Sequence, residues 1–373
     1  MKFISPGRTG DVEEAWIKGR KFYAKTNPSK RVTDIEARIY AGLREEGIRV
    51  PEIYRVDDVR ILVEDAGINM ADQMVNGGYE KMRSKAQVLN LVKTRTSVNK
   101  IIGKVLTNEE KNDLELDQKE KLRNSINKLA GRDLSIKEIE INYWACRALS
   151  AMGIYDEQFM QNYTHTIGKK LDELCQTSGQ WVGDNNLWNN ASIDGITQVP
   201  FDFNSIRYAP SQVDLAAVTG LYLFHGFLGV CKNHEERTEL IDEIRKISAP
   251  EMNPKDYFTA FMIATLHKNT VIAGYRLQAT KEGLEICKKR IHEGRKMAFV
   301  AAFKSLKKTF SEIDYHSSVA ALVEREHGNI VFEDPQKGSQ ISRFIVNKTF
   351  GQRLPIFMDP VWELGEQMDQ YYL

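Results

Sequence analysis

Three side chains suited to metal binding and proton transfer follow one another in the sequence. Asp184 is followed, after four intervening residues, by Asn189, and Asp202 comes next, between two phenylalanines. Phosphoryl transfer needs a carboxylate beside the attacking hydroxyl and hard oxygen ligands for Mg²⁺. The order therefore predicts Asp184 as the group that orients the acceptor hydroxyl, and Asn189 and Asp202 as Mg²⁺ ligands. A polar surface loop followed by an ordinary strand is the structural alternative.

A hairpin pattern explains how Asn189 and Asp202 would come together. The pair Asp194-Gly195, between Ser192-Ile193 and Ile196-Thr197, is a strong signal for a type I′ turn. Such a turn makes the flanking segments antiparallel strands. We therefore expect Asn189 and Asp202 at neighbouring ends of these two strands.

The N-terminal region predicts another hairpin, which carries a cation. Residues 13–25 are predicted to form two strands around a two-residue turn at Gly19-Arg20. Alternation places Tyr23 and Lys25 on one face of the second strand and Phe22 on the other. A lysine at the end of such a strand is a candidate for binding phosphate oxygens.

A glycine-bearing connection precedes this hairpin and could cover phosphates with its backbone. Gly7 and Gly10 lie in the run Ser5-Pro6-Gly7-Arg8-Thr9-Gly10, whose N–H groups would contact phosphate oxygens. The run matches neither the Walker A spacing nor the dinucleotide-binding fingerprint. A plain β-turn is therefore an equal interpretation.

An amphipathic helix is predicted next, over residues 33–44. The apolar residues of one side recur at every fourth position: Ile35, Ile39 and Leu43. Glu36 lies beside this apolar side, where its carboxylate could pair with Lys25. The alternative is a capping box, in which Thr33 and Glu36 only satisfy the start of the helix.

Two further strands are predicted at residues 50–56 and 59–64. With them, the order of motifs resembles the aminoglycoside phosphotransferase and choline kinase group of kinase-fold enzymes. The residues that carry the resemblance are Lys25, Glu36, Val50-Pro51, Glu64, Gly183-Asp184, Asn189, Asp202 and Asp214-Leu215-Ala216. The resemblance covers residues 1 to about 70 and 150 to about 310.

The resemblance implies a role for each matched position. It makes Asp184 the catalytic base, Asn189 and Asp202 the Mg²⁺ ligands, and Lys25 the phosphate-binding lysine, with Glu36 as its partner. Backbone groups that follow the last strand would contact the adenine of ATP: Glu64, Ala66 and Gly67.

One position departs from the pattern of the resembled group. Val182 lies where that group has a histidine before its Gly-Asp pair, so the hydrogen bonds of an imidazole are absent. In the resembled group this histidine supports the catalytic loop and does not touch phosphate. The departure weakens the inference of activity without excluding it.

The resemblance also implies an α+β fold of the bilobal, protein-kinase-like kind. A small antiparallel β lobe with one helix, residues 1–70, would bind the nucleotide. Residues 71–145, which the resemblance covers poorly, would form a basic helical insert or begin the larger lobe. Residues 146–325 would form the mainly helical lobe with the catalytic loop and metal strand, and 326–373 a C-terminal extension.

Composition is that of an ordinary globular protein. Apolar residues make up 42% and charged residues 28% of the chain, and the net charge of +1 gives no global attraction to nucleic acid or anionic lipid. Four cysteines without a Cys-x-x-Cys pair predict reduced thiols, and the N-terminus lacks a signal-peptide pattern. An apolar run at residues 215–231 is interpreted as a buried helix. The prediction is a cytoplasmic protein without a membrane segment.

The stretch from Lys81 to Lys104 is basic and contains no acidic residue. We interpret it as an amphipathic helical insert with a solvated face. A basic wall for an anionic acceptor or for RNA is the alternative. Aromatic residues that would stack on bases are absent from it, which disfavours nucleic acid as a partner.

Two classes of function fit these observations. The first is an ATP-dependent kinase that phosphorylates a hydroxyl of a small molecule. The short segment between Asp202 and Asp214, without an Ala-Pro-Glu motif, disfavours a protein kinase. The second class is a kinase-shaped binding or regulatory protein without turnover, which Val182 would favour.

Overall fold

The N-terminal part of the chain forms an antiparallel sheet in this computed structural model. The structure describes residues 3–7, 10–70, 84–123, 167, 169–175, 179–183, 189–192, 197–225, 229–331 and 363–364. In chain order the strands of this sheet are β1 (Phe3–Gly7), β2 (Gly10–Ile17), β3 (Arg20–Thr26), β4 (Ile53–Arg55) and β5 (Arg60–Glu64). Their spatial order is β1-β2-β3-β5-β4. The predicted small antiparallel sheet is confirmed.

The turn between β2 and β3 lies one residue earlier than predicted. Lys18 and Gly19 form it, and Ile17 pairs with Arg20, so the predicted turn at Gly19-Arg20 is wrong. Both turn residues have positive φ, 49° and 78°. This is the type I′ geometry that matches the twist of paired strands, and glycine adopts it without strain.

Helix α1 (Lys30–Glu45) begins before the predicted start at Thr33. Its N-cap is Ser29, whose side chain accepts a hydrogen bond of 3.3 Å from the Val32 N–H. Thr33 therefore lies inside the first turn, where its hydroxyl donates to the Ser29 carbonyl. The capping box of Thr33 and Glu36 is wrong, which frees the Glu36 carboxylate for other partners.

Two helices continue the first part of the fold, α2 (Lys85–Val105) and α3 (Asn108–Arg123). Lys93 and Lys100 of α2 are exposed, as a solvated basic face requires. Arg95, in contrast, is only 1% exposed, so it does not belong to that face. Helices α1 and α2 approach closely at Gly42, where a Cβ would lie 3.0 Å from Ile101 Cγ2.

Short strands frame the segment predicted to carry the chemistry. They are β6 (Gly179–Val182), β7 (Asn190–Ser192), β8 (Gln198–Pro200) and β9 (Arg207–Pro210). Strand β6 pairs with β9 and β7 with β8, both antiparallel. The predicted hairpin is confirmed in its strands, while its Asp194-Gly195 turn lies outside the described residues.

The remaining described helices are α4 (Lys169–Leu174), α5 (Ser211–Phe224), α6 (His234–Ser248), α7 (Pro254–His292) and α8 (Lys296–Val331). Helix α5 is buried as expected, but it ends at Phe224 and does not continue through residue 231. In the part of the chain that is described, no helix is long and apolar enough to span a membrane.

The chain divides into two compact units. The first comprises Met1–Glu120, Thr177–Thr219 and Val230–Met252, and the second comprises Lys121–Gln176, Gly220–Gly229 and Asn253–Leu373. An apolar core in the first unit joins α1 and α2 to Trp181 and Phe203. In the second unit α7 and α8 pack along each other. The lobe boundaries given by the resemblance stay predictions.

Candidate active site

The first unit brings together three charged side chains that are distant in sequence. The Lys25 ammonium lies 2.8 Å from Glu36 Oε1 and 2.5 Å from Asp202 Oδ1. Strand β3 supplies the lysine, helix α1 the glutamate, and the segment after β8 the aspartate. Two of the predicted nucleotide-binding residues and one predicted Mg²⁺ ligand therefore form a single cluster.

Glu36 is completely buried, and both of its oxygens have partners. Oε1 accepts hydrogen bonds from Lys25 Nζ and from the Phe203 N–H at 3.1 Å. Oε2 accepts a hydrogen bond of 2.9 Å from Asn27 Nδ2. A buried carboxylate is tolerated when it is paired and hydrogen-bonded in this way. Asn27, which no sequence motif indicated, is therefore part of the site.

The charge of Lys25 is secured by its neighbours. Burial lowers the pKa of the ammonium, but the carboxylates of Glu36 and Asp202 outweigh burial, and the pKa of Lys25 lies above its ordinary value. Lys25 is therefore a cation at physiological pH, as a phosphate-binding group must be.

Asp202 has an unusual backbone conformation. Its φ is 65°, in the left-handed region that few residues with a Cβ adopt. Its N–H donates a hydrogen bond of 3.3 Å to the hydroxyl of Tyr40, a buried residue of α1. Burial and the negative charge of Glu36 hold the pKa of Tyr40 well above its ordinary value, so the hydroxyl is neutral. Its position one turn after Glu36 was the only signal for Tyr40 in the sequence.

The β7–β8 hairpin places Asn189 and Asp202 at the same end. Asn190 pairs with Pro200, and the Phe201 N–H donates a hydrogen bond of 3.0 Å to the Asn189 carbonyl. Asp202 is the next residue. Asp184 lies outside the described residues, and the described chain on its N-terminal side ends with β6 and Gly183.

Val182, at the position of the histidine in the resembled group, is the last residue of β6. It is fully buried and pairs with Arg207 of β9. Packing therefore holds Val182 at the end of β6.

The predicted glycines lie at the tip of the β1–β2 hairpin. Gly7 and Gly10 pair across it, at the end of β1 and the start of β2. Arg8 and Thr9, between them, lie outside the described residues. The connection is thus the end of a hairpin in the same sheet as Lys25, and its contact with phosphate stays a prediction.

The segment after β5 is held by its own residues. The Asp65 N–H donates to the Lys21 carbonyl at 2.9 Å, and Asp65 Oδ1 accepts from the Gly67 N–H at 2.9 Å. Gly67 has a φ of 87°, which suits glycine. Within the described chain the Ala66 N–H has no hydrogen-bond partner. An N–H group in this position is available to an acceptor such as a purine nitrogen.

The positions of Lys21 and Lys25 on β3 give the distance between the segment after β5 and the charged cluster. They are four residues apart on the same strand and point to the same face, so roughly 13 Å separates them at 3.3 Å per residue. Asp65 is bonded to the Lys21 end. The segment after β5 and the charged cluster therefore lie at opposite ends of β3.

The oxygen donors at the end of the β7–β8 hairpin fit Mg²⁺. Asp202 offers a carboxylate that is 34% exposed, and one of its oxygens already contacts a cation, the Lys25 ammonium. Asn189 lies at the same end of the hairpin. Mg²⁺ prefers one or two protein oxygen ligands and completes its shell with water and phosphate oxygens.

Solved structures that match this chain include three kinases. An ethanolamine kinase of Plasmodium vivax superposes with a TM-score of 0.50 and 11% identity, over 86% of this chain and 81% of that one. An amicoumacin kinase in complex with AMP-PNP, Ca²⁺ and amicoumacin gives 0.47 and 15%, over 74% of this chain and 80% of that one. A choline kinase of Streptococcus pneumoniae gives 0.40 and 11%, over 84% and 94%.

The match to the ethanolamine kinase shows that this chain has a similar fold. At 11% identity, it shows the fold alone. The resemblance inferred from the sequence motifs named the same group of proteins. It is therefore confirmed as a resemblance in fold. No protein-family model matches the chain. No curated protein matches it either.

Proposed function

We propose that this protein is an ATP-dependent phosphotransferase that moves the γ-phosphoryl group of ATP to a hydroxyl of a small molecule. The observation that carries the proposal is the contact of Lys25 with both Glu36 and Asp202. This contact brings Lys25, a cation that could bind phosphates, next to Asp202, a carboxylate that could bind Mg²⁺. The kinase-like fold around this cluster supports the same conclusion.

Each residue has a distinct task in the proposed reaction. Lys25 binds the α and β phosphates, and Glu36 holds the ammonium in place from the buried side. Asp202 and Asn189 would hold Mg²⁺, which would neutralise part of the charge of the phosphates. Asp184, which lies between β6 and β7 in the sequence, aims the acceptor hydroxyl and takes its proton. The acceptor is thereby aligned with the γ-phosphate.

The base of ATP would bind beside the segment after β5. The Ala66 N–H, which has no partner among the described residues, would donate to a nitrogen of the base there, with Glu64 and Gly67 on either side. Tyr23 lies on the face of β3 that carries Lys25, and its hydroxyl donates to Asp65 Oδ2 at 3.4 Å. The backbone at Gly7 and Gly10 would cover the phosphates.

The segment after Asp202 favours a small acceptor over a peptide. Strand β9 begins at Arg207, and α5 follows it directly at Ser211. A protein kinase uses a long activation segment at this point to hold its peptide. A sugar, aminoglycoside, amino alcohol or nucleoside is the class of acceptor we propose, in a bilobal, cytoplasmic enzyme.

Nucleotide binding and turnover can be tested separately. Mg-ATP at a hundredfold excess over Kd should stabilise the folded protein by about 2.7 kcal/mol, and Lys25→Met should reduce this effect. Acceptor-dependent release of ADP, measured against a panel of small hydroxyl compounds, tests turnover.

Asp184→Asn is the matched variant for turnover, because it keeps the shape and removes the basicity of the side chain. It should lower kcat by about 10²–10⁴-fold and leave the Mg-ATP melting shift intact. A wild-type protein without a Mg-ATP shift would overturn the proposal. A normal shift with no turnover of any compound in the panel would favour the binding or regulatory protein instead.

A further inference from the structure

Helix α1 holds two consecutive backbone amides through two of its side chains. The Asp202 N–H donates to the Tyr40 hydroxyl at 3.3 Å, and the Phe203 N–H donates to Glu36 Oε1 at 3.1 Å. Glu36 and Tyr40 are four residues apart, so they lie on the same face of the helix. The backbone of Asp202 is therefore attached to α1 at two adjacent points.

These two bonds act on a residue whose conformation needs support. Asp202 has a φ of 65°, and a residue with a Cβ enters this region at an energetic cost. Such a conformation persists only where surrounding contacts determine it. The hydroxyl of Tyr40 is the partner of the amide of Asp202 itself.

The hydroxyl of Tyr40 has a task separate from that of its ring. The ring packs edge-on against Phe203, with centroids 5.1 Å apart, and Tyr40 is completely buried. A phenylalanine would make the same packing contact. A hydroxyl group loses its hydration on burial, so its presence here is explained by the hydrogen bond it accepts.

The side chain of Asp202 is oriented at the same time from the other direction. The Lys25 ammonium contacts Oδ1 at 2.5 Å, and Glu36, which also binds that ammonium, accepts from the next amide. Backbone and carboxylate are thus fixed by one set of neighbouring groups. A change in the backbone at Asp202 would turn its carboxylate away from this position.

We infer that Tyr40 is a positioning residue, whose hydroxyl keeps Asp202 in the backbone conformation that presents its carboxylate to Mg²⁺. The inference rests on the proposed function and adds to it a residue that touches neither metal nor nucleotide. Groups that orient a metal ligand in this way typically change metal affinity or activity by about 10–100-fold when they are removed.

Tyr40→Phe tests the inference, because it removes the hydroxyl and keeps the ring. The measurement is the melting temperature with a non-hydrolysable ATP analogue, as Mg²⁺ is increased. We expect the Mg²⁺ concentration for half of the full shift to rise by about tenfold or more. In turnover assays, kcat should fall and the KM for ATP at saturating Mg²⁺ should change little.

Tyr54→Phe is the matched control. The Tyr54 hydroxyl donates to Glu52 Oε2 at 2.9 Å on an exposed part of the sheet, so its removal also deletes one hydrogen bond. This variant should keep the wild-type Mg²⁺ dependence.

The outcomes separate the inference from the proposed function. An equal Mg²⁺ dependence in Tyr40→Phe and Tyr54→Phe would overturn the inference and leave the proposed function intact. A Tyr40→Phe variant that does not fold would also count against it, because the hydroxyl would then hold the fold and not one ligand. If the wild type shows no Mg²⁺-dependent shift, the proposed function fails and the inference with it.

Discussion

At the scale of single residues, exposure distinguishes the two carboxylates that contact Lys25. The side chain of Glu36 is 0% exposed and both of its oxygens accept hydrogen bonds, whereas the side chain of Asp202 is 34% exposed. A metal with its own water and phosphate ligands can reach only the second of these. Glu36 therefore holds the lysine, and Asp202 is the carboxylate that we propose as the Mg²⁺ ligand.

Substitution of the two proposed Mg²⁺ ligands, Asp202 and Asn189, should have graded effects. Asp202→Asn should abolish the Mg²⁺-dependent part of the ATP melting shift, because a direct anionic ligand is lost at constant size. Asn189→Ala should weaken the shift less, because one neutral oxygen is lost. The measurement is a Mg²⁺ titration at constant ATP.

Asp242→Asn is the control for that experiment, since this aspartate pairs with Arg245 and Lys246 on α6. It should leave the titration unchanged. If Asp202→Asn and Asn189→Ala both give the same Mg²⁺ titration curve as the wild type, the hairpin is structural and binds no metal.

At the scale of elements, α1 connects the sheet to the segment that carries Asp202. Its Glu36 reaches β3 through Lys25, and its Tyr40 reaches the segment after β8. The start of the helix is secured by Ser29. The position of α1 and the geometry of the site are therefore coupled, and the N-cap contributes to both.

Ser29→Ala should destabilise the protein by about 1 kcal/mol, because an N–H of the first turn loses its acceptor. Urea unfolding gives this value as a lower midpoint with an unchanged slope. Ser29→Asp, which restores a capping oxygen, should recover most of the loss. If Ser29→Ala is neutral, the helix begins elsewhere.

At the scale of the whole molecule, the second unit contains histidines that are neutral when folded. His267 and His316 are almost completely buried. Burial, with the positive charge of Lys268, lowers the pKa of His267 to about 3. Burial, with the charges of Arg276 and His225, lowers the pKa of His316 to about 3. The Nδ1–H of His316 donates to Asn269 Oδ1 at 2.7 Å.

These histidines should make the protein sensitive to acid. Their folded pKa lies below the unfolded value of about 6.5, so below that pH the unfolded chain binds more protons. The free energy of unfolding is therefore highest above pH 6.5 and falls as the pH is lowered toward 3. Each histidine contributes a slope of up to about 1.4 kcal/mol per pH unit in this window.

His316→Gln should reduce the slope of the unfolding free energy against pH by the contribution of one proton, up to about 1.4 kcal/mol per pH unit. The reason is that one titrating group is removed while a hydrogen-bond donor is kept. The exposed His292, in the last turn of α7, provides the control His292→Gln, which should keep the wild-type slope. Urea unfolding between pH 7 and pH 5 measures both. Equal slopes in the two variants would show that His316 is protonated in the folded protein.

Local sequence patterns determined much of the sheet, the hairpin and the candidate site. Alternation placed Lys25 on its face of β3, and the Asp194-Gly195 signal predicted that β7 and β8 would pair, because side-chain period and turn chemistry act over a few residues. The resemblance named Glu36, Asn189 and Asp202 from their order alone. The start of α1 was missed because Ser29 and Thr33 are both acceptable caps in sequence.

Only the tertiary structure decided which groups surround Asp202. Lys25 reaches it across 177 residues, and Tyr40 across 162. The hydrogen bond of Asn27 to Glu36 and the burial of Arg95 in an otherwise basic helix were likewise visible only in the tertiary structure. Such contacts depend on how a strand, a helix and a hairpin pack against one another. No periodicity within one element encodes that packing, and so the left-handed conformation of Asp202 and its support by α1 could be seen only in the folded chain.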